Sequence, residues 1–262
     1  MGIVGTSVAV QILQTLTADG RTGLAQDTPA VYAGEKSKLE VLFGPAVFDE
    51  IRDKVVLDFG CGPGREAVEL AKHGARLVIG LDIRPKWLDL ARARAREHGV
   101  EDRCMFMETW TEGDSVDVVL SLDSFEHFAD PGAILTMMRK PLKRDGCVLA
   151  SFGPTWYHPL GGHLFSVFPW AHLLFTERSL TRWRSTLPGK KPTASFAECG
   201  LNQMTVRRFE KLVAESPFRF ERFEAVPIRA LRWAANRLSR EFTTSIVRCK
   251  LVPAEAGRER LS

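Results

Sequence analysis

Short runs of consecutive apolar residues alternate with longer stretches of helical periodicity along much of the chain. The runs lack the polar alternation of a half-exposed strand, which indicates strands buried on both faces of a parallel sheet. Five of them lie at residues 55–59, 76–81, 104–107, 117–123 and 147–152. The pattern predicts an α/β protein with a doubly wound, mostly parallel sheet and helices on both faces.

The first run leads into a glycine-rich turn. Residues 55–59 are followed by Gly60, Gly62 and Gly64, and residues 66–73 then show helical spacing. Glycine tolerates positive φ and has no Cβ, so such a turn lets a ligand approach the backbone closely. We therefore predict a strand, a ligand-binding turn and a helix in this order.

The spacing of these glycines separates two classes of ligand. The dinucleotide fingerprint is G-x-G-x-x-G, whereas here the glycines fall as G-x-G-x-G, with Pro63 between the last two. Asp58, at the carboxyl end of the strand, would repel a pyrophosphate and attract a cation. The turn therefore favours a cationic ligand.

The stretch Leu57-Asp58-Phe59-Gly60-Cys61-Gly62-Pro63-Gly64 closely resembles the first motif of the class I S-adenosylmethionine (SAM) dependent methyltransferases. The resemblance implies their seven-stranded sheet, with two closing strands predicted at residues 218–226 and 243–251. It also implies that the motif holds the methionine end and the sulfonium of SAM. The residues concerned are Asp58, Gly60, Cys61, Gly62, Pro63 and Gly64.

The second predicted strand ends at Asp82, with one helix between it and Asp58. In a right-handed βαβ unit both acids fall on the same edge of the sheet, where a carboxylate can accept both hydroxyls of a ribose. We therefore predict that Asp82 binds the ribose and that Ile83 packs on the adenine. The resemblance also implies an acid after the third strand that binds the adenine amino group. Glu108 comes slightly earlier than that position, and Trp110 falls near it.

The fourth predicted strand ends at Asp123, followed by Ser124 and the pair Glu126-His127. This resembles the family's fourth motif in its small-molecule branch, the methyltransferase type 11 or ubiquinone-biosynthesis-like enzymes. It implies that Asp123 and Ser124 lie near the methionine portion of SAM. The Asn/Asp-Pro-Pro-Tyr/Phe motif of enzymes that methylate base amines is absent, as is the Pro-Cys pair of cytosine-C5 enzymes, which argues against a nucleic-acid substrate.

About fifty residues separate the fifth strand from the next predicted helix, residues 206–215. Residues 152–175 of this insert contain seven aromatic residues and three histidines. An insert that leaves the carboxyl end of a strand lies over the ligand-binding edge of the sheet, so we predict a lid for an apolar or aromatic methyl acceptor. The alternative is a small helical subdomain with the aromatics as its core. No carboxylate or cysteine accompanies the histidines at metal-ligand spacing, so no metal is expected.

These patterns divide the chain into four parts. Residues 1–52 form an N-terminal helical or lid segment, residues 53–152 the SAM-binding Rossmann-like core, residues 153–205 the lid, and residues 206–262 the rest of the core fold.

The predicted activity is in-line transfer of a methyl group from SAM to a small, apolar or aromatic metabolite, by O- or C-methylation, with S-adenosylhomocysteine (SAH) as product. If the acceptor must lose a proton, the candidate bases are His163, His158, Tyr157 and Glu126, with His163 favoured because it follows two glycines. The alternatives are a non-catalytic SAM-binding module and a methyltransferase acting on RNA or another anionic partner.

Composition and charge add three expectations. Five scattered cysteines without a C-x-x-C pair favour reduced thiols and a cytoplasmic location. No apolar stretch is long enough to cross a membrane. Residues 176–250 carry 16 Lys and Arg against 7 Asp and Glu, an excess that can attract an anionic partner. The sequence leaves homo-oligomer formation open.

Overall fold

The computed structural model describes residues 2–5, 7–17, 36–110 and 115–254. Seven strands form one sheet in the order β3-β2-β1-β4-β5-β7-β6. The strands are β1 (Val55–Phe59), β2 (Leu77–Leu81), β3 (Cys104–Met107), β4 (Val116–Leu122), β5 (Leu142–Phe152), β6 (Phe218–Pro227) and β7 (Thr244–Pro253). β1 to β5 pair in parallel, and β7 pairs antiparallel with both β5 and β6. The predicted seven-stranded, mostly parallel sheet is confirmed.

Ten α-helices occur in the described part of the chain. They are α1 (Ser7–Leu16), α2 (Lys38–Phe43), α3 (Val47–Ile51), α4 (Arg65–Lys72), α5 (Pro85–Glu97), α6 (Pro131–Arg139), α7 (Ala171–Leu174), α8 (Glu177–Ser185), α9 (Val206–Ala214) and α10 (Arg240–Thr243). Their starts follow local signals: Pro85 opens α5, and the side chain of Thr205 caps α9 by accepting from Arg208 N.

Apolar helix faces cover the sheet on both sides. One core cluster joins α2 to α5 with one face of the sheet, and the other joins α6 and α9 with the opposite face. Because both faces are covered, residues 55–58 of β1 are buried without interruption. This burial explains why the strand reads as a continuous apolar run with Asp58 as its one charged residue.

The connection before the fifth strand differs from the prediction. The apolar run predicts that the fifth strand begins at residue 147, after the polar residues 143–146. Instead β5 begins at Leu142 and contains them, and its register with β4 shifts between Val116 and Val118. The polar residues are accommodated by this irregularity, because a register shift leaves part of the strand outside regular pairing.

The insert forms a third cluster with the N-terminal helix. Ala9, Val10 and Leu13 of α1 pack with apolar residues of the insert, and the indole of the fully buried Trp183 donates to Thr17 Oγ1 at 3.2 Å. Trp156, Phe165, Phe175 and Phe196 are buried in the same cluster. Much of the aromatic enrichment is therefore explained by packing, as in the helical-subdomain alternative. Residues 18–35, part of the predicted N-terminal segment, lie outside the described residues.

Candidate functional site

Asp58 and Asp82 lie at the carboxyl ends of neighbouring parallel strands. In the pairing of β1 with β2, Asp58 lies opposite Gly80, and Asp82 directly follows the last paired residue, Leu81. The two acids thus share one edge of the sheet, as the βαβ reasoning predicted.

The glycine turn is tied to the end of β2 by its backbone. The amides of Gly60 and Cys61 both donate to the Leu81 carbonyl at 2.8 Å, and the Gly62 amide donates to Asp82 Oδ2 at 3.0 Å. Gly62 has φ 51°, and a Cβ built there would meet no atom within 4 Å. The turn therefore leaves open space beside the buried Gly62, which suits a closely bound ligand.

The carboxylate of Asp58 lacks a partner for one of its oxygens. Asp58 is 3 % exposed, and within the described residues Oδ2 is buried without a hydrogen bond. Burial, assisted by the nearby charge of Glu66, raises the pKa of Asp58 to about 8. Because an unpaired buried carboxylate is costly, this atom fits the cationic group of a ligand.

Lys38, in the first turn of α2, brings a cation to the same edge. Its Nζ lies 2.7 Å from Asp123 Oδ2 and 3.6 Å from Glu66 Oε1. Burial lowers the pKa of Lys38, but Asp123, Glu66 and Asp58 raise it more, so the net shift is upward. Sequence reasoning missed Lys38. The available signal was its position directly after Ser37, which caps α2.

Both carboxylate oxygens of Asp82 already accept hydrogen bonds from the protein. Arg84 Nε donates to Oδ1 at 2.9 Å and Arg84 Nη2 to Oδ2 at 2.8 Å, while the Arg84 amide also donates to Oδ1 at 3.0 Å. Burial raises the pKa of Asp82, but the hydrogen bonds from Arg84 and Gly62 lower it by more than burial raises it, so the net shift is downward. Sequence reasoning missed Arg84, although an arginine two residues after a strand-end acid is a readable signal.

The residues predicted to bind adenine lie along this edge. Ile83 is 84 % exposed beside Asp82. Glu108 is exposed directly after β3, where the Asp82 amide donates to the Met107 carbonyl at 3.3 Å. The exposed aliphatic side chain of Ile83 is suited to pack on the face of a purine. The Glu108 carboxylate is suited to accept a hydrogen bond from its amino group. Residues 111–114, which follow Trp110, are outside the described part.

Two buried residues line the floor of the turn. Ser124 donates to the Leu122 carbonyl at 2.8 Å, and its Oγ lies 3.0 Å from where a Cβ of Gly60 would stand. Burial raises the pKa of the Cys61 thiol, so the thiol remains protonated at neutral pH. Pro63 lies in the same turn, and its carbonyl accepts from Arg94 Nη1 at 2.6 Å.

Glu126 and His163 are brought together by the first two residues of the insert. The Gly153 amide donates to Glu126 Oε1 at 3.2 Å, and the Pro154 backbone acts on the His163 ring in the direction that raises its pKa. Burial raises the pKa of Glu126 to about 8 and lowers that of His163 to about 4. The His163 ring also meets the His127 ring edge-on, with their centroids 5.4 Å apart.

The other two candidate bases are held by local contacts. His158 Nδ1 accepts from the Leu160 amide at 2.9 Å, and burial lowers the pKa of His158 to about 4. The Tyr157 ring packs against Phe242, with the ring centroids 5.0 Å apart. Among the described residues, no group of three or more His, Cys, Asp and Glu side chains is arranged to hold a metal ion.

Residues 56–146 match the family model described as a methyltransferase domain. The matched region contains β1, the glycine turn, Asp82 and Asp123, the elements from which the site is built. This region of the chain is similar to a methyltransferase domain over its whole matched length. The family resemblance and the fold predicted from the sequence are therefore confirmed.

The domain is similar to curated enzymes of one kind. The ubiquinone biosynthesis O-methyltransferase of Neisseria meningitidis serogroup C is 37% identical over 107 residues, which is 39% of this chain and 45% of the relative. The enzyme of the same name from Idiomarina loihiensis is also 37% identical over 107 residues, 39% of this chain and 44% of the relative. The chain thus spans less than half the length of these relatives.

Solved structures share the fold at low sequence identity. Magnesium protoporphyrin IX methyltransferase from Synechocystis PCC 6803, solved with bound SAH, has a TM-score of 0.55 and 20% identity, and the match covers 95% of each chain. A [4+2]-cyclase has the same TM-score with 14% identity, over 97% of this chain and 100% of its own. The fold by itself therefore does not fix the reaction. No helix in the described ranges has the length and apolar character needed to cross a bilayer.

Proposed function

We propose that this protein transfers the methyl group of SAM to a small, apolar or aromatic metabolite and releases SAH. One observation carries the proposal above the others: a buried carboxylate oxygen of Asp58 lies unpaired beside a glycine turn that leaves open space. A ligand that brings a cationic hydrogen-bond donor to this oxygen turns this costly arrangement into a favourable one. SAM has an ammonium group and a sulfonium, and its sulfonium supplies the electrophilic methyl group.

Different residues of the sheet edge would bind different parts of the cofactor. Asp58 and the turn from Gly60 through Cys61, Gly62 and Pro63 to Gly64 would hold the methionine portion, with Asp123 and Ser124 on its other side. Asp82 would accept the ribose hydroxyls, and Ile83 and Glu108 would contact the adenine. This assignment is supported by the placement of all these residues along one edge.

On the acceptor side, this chain's residues can receive a proton and exclude water. His163, whose pKa is lowered to about 4, is neutral at pH 7. A neutral imidazole has one ring nitrogen without a proton, so His163 can accept a proton there. The Gly153 amide, next to Pro154, donates to Glu126 Oε1. The pKa of Glu126 is raised to about 8, so its ionised form is a strong proton acceptor whose population grows as the pH approaches 8. Relatives named O-methyltransferases favour oxygen as the methylated atom.

The competing function is SAM binding without methyl transfer, and a neighbour named as a cyclase gives this alternative a specific basis. Two measurements separate them. Calorimetry should detect binding of SAM and SAH, and SAH should accumulate when the protein is incubated with SAM and a panel of phenolic and quinol-type metabolites. Binding without turnover over the panel would favour the non-catalytic function, and absence of binding would refute both.

The role of His163 is tested by His163→Gln. If His163 accepts the proton, kcat should fall while the Kd of SAM stays unchanged, because the ring does not belong to the cofactor edge. His158→Gln is a matched control in the same insert. Unchanged turnover of His163→Gln would remove this side chain from the reaction.

A further inference from the structure

The connection between β6 and β7, residues 228–243, exposes large apolar side chains. Trp233, in the 3₁₀ helix Arg229–Ala234, is 86 % exposed, and Leu238, in the turn that follows, is 89 % exposed. Phe242, at the end of the same connection, is 48 % exposed. Scattered single apolar residues are common on protein surfaces, but a tryptophan and a leucine almost fully in water within one connection indicate a contact surface.

The same connection is strongly basic. Residues 225–240 contain four arginines and no Asp or Glu. Arg240 forms a two-pronged pair with Glu210, at 2.8 and 2.5 Å. The remaining arginines, Arg229, Arg232 and Arg237, are exposed and form no ion pair within the described part of the chain. Their charge is therefore available to an anionic surface.

Neighbouring carboxylates do not offset this charge because each has other partners. Glu224 accepts from Arg248 at 2.8 Å, and the buried Glu241 accepts from the backbone amides that begin α9. The surface therefore combines three unpaired cations with a tryptophan and a leucine.

The connection lies at the edge of the sheet that carries the candidate site. β7 runs antiparallel to β5, so the start of β7 is beside the carboxyl end of β5, where Phe152 pairs with Val247. Phe242 packs on Tyr157 of the insert, and Thr155 Oγ1 donates to the Thr244 carbonyl at 3.2 Å. Anything that holds residues 228–243 thus lies close to the insert.

We propose that residues 228–243 dock this protein on an anionic phospholipid surface. Trp233 and Leu238 would enter the boundary between headgroups and acyl chains, where tryptophan is favoured, and the three arginines would contact lipid phosphates. An RNA ligand could use the arginines and stack on Trp233, but it would give no reason for an exposed Leu238. The proposal does not depend on methyl transfer, because docking requires neither cofactor nor acceptor.

The test is co-sedimentation of the full chain with vesicles of phosphatidylcholine alone or mixed with phosphatidylglycerol. We expect binding only to the anionic vesicles, weakened by salt. The triple variant Arg229→Gln/Arg232→Gln/Arg237→Gln should lose roughly 100-fold in partitioning, from about 1 kcal/mol for each basic residue. Trp233→Ser/Leu238→Ser should also lose binding, although its charge is unchanged.

A control triple removes the same charge from the opposite edge of the sheet. Arg76, Lys140 and Arg144 are exposed near the amino ends of β2 and β5, and their replacement by Gln should leave vesicle binding intact. Circular dichroism melts establish that every variant is folded. Failure of the wild type to bind anionic vesicles would overturn the proposal. So would vesicle binding that survives Trp233→Ser/Leu238→Ser, or fluorescence-detected binding to a single-stranded RNA in place of vesicles.

Discussion

The guanidinium of Arg84 and the carboxylate of Asp82 form a two-pronged ion pair, with nitrogen to oxygen distances of 2.9 and 2.8 Å. Backbone amides of Gly62 and Arg84 add one hydrogen bond to each oxygen. Each Asp82 oxygen therefore has two donors, and a ribose whose hydroxyls bind there must displace one of them. The Arg84 side chain is the donor able to leave, because it is 58% exposed.

Arg84→Ala should therefore tighten the binding of SAH. Without the guanidinium, the ribose hydroxyls meet an unoccupied carboxylate and need not break an ion pair. Exposed ion pairs contribute up to about 1 kcal/mol, so we expect the Kd to fall by up to about fivefold. Isothermal titration calorimetry at low ionic strength measures this change directly.

Arg52→Ala is the matched control, because Arg52 has a similarly exposed side chain and pairs with Asp49 at 3.3 Å. It should leave the Kd unchanged. Asp82→Asn should weaken SAH binding about 10- to 100-fold, as expected for loss of hydrogen bonds to a charged group. Weaker binding by Arg84→Ala would show that Arg84 helps to hold the cofactor.

The affinity for SAH should rise with pH between about 6 and 8. Burial raises the pKa of Asp58 to about 8 in the free protein, so at pH 7 this carboxyl is mostly protonated. A cationic ligand binds the ionised form, and binding therefore releases a proton. The Kd should fall by up to about tenfold per pH unit below pH 8.

Calorimetry at pH 7 in two buffers of different ionisation enthalpy counts the released protons. The wild type should release close to one proton per SAH bound. Asp58→Asn should bind more weakly, without proton release, and with a Kd that is flat over this range. A pH-independent wild-type Kd would mean that Asp58 does not change its protonation state when SAH binds.

The sequence predicted the sheet edge better than it predicted the contacts made there. Asp58, the glycines and Asp82 are fixed by strand ends and turn geometry, and these leave a direct pattern in the chain. Lys38 and Arg84 are long, flexible side chains whose direction depends on tertiary packing. Spacing along the chain can indicate that Lys38 and Arg84 lie near the acids, but not which oxygen atoms they contact.

The insert shows a different limit of sequence reasoning. Its aromatic residues at 152–175 were predicted to line a lid for the methyl acceptor, but Trp156, Phe165 and Phe175 are buried with α1. An enrichment in aromatics has the same appearance whether the side chains pack on each other or on a ligand. Only the partner, here Leu13 and its neighbours, distinguishes these cases.

Replacement by alanine should have different effects on stability and SAH binding at two glycines of the turn. Gly62 and Gly64 both have positive φ, so each substitution costs about 1 kcal/mol of strain. At Gly64 the new Cβ would also lie 2.7 Å from the Ala91 Cβ, whereas at Gly62 it meets nothing within 4 Å. Gly64→Ala should therefore lose about a further 1–3 kcal/mol of stability through overpacking.

Gly62→Ala should instead weaken SAH binding at least about tenfold, since its Cβ would occupy space assigned to the ligand. Gly99→Ala separates strain from binding, because Gly99 also has positive φ and open space but lies at the end of α5. It should match Gly62→Ala in urea denaturation and bind SAH like the wild type. Equal SAH affinity of the Gly62 and Gly99 variants would place the ligand elsewhere.

Glu126→Gln should become more favourable for stability, relative to the wild type, as the pH rises. Burial raises the pKa of Glu126 to about 8, so between its unfolded value near 4.5 and pH 8 the folded state binds more protons than the unfolded state. The stability contributed by Glu126 is therefore complete below that range and is lost as the pH rises through it. Glutamine does not titrate, and its amide oxygen can still accept a hydrogen bond from the Gly153 amide.

The stability difference between variant and wild type, measured by urea denaturation from pH 5 to 8, should change with a slope of up to about 1.4 kcal/mol per pH unit. A difference that is constant with pH would show that Glu126 is ionised throughout, and it would then be a poor candidate for receiving a proton from the methyl acceptor near neutral pH.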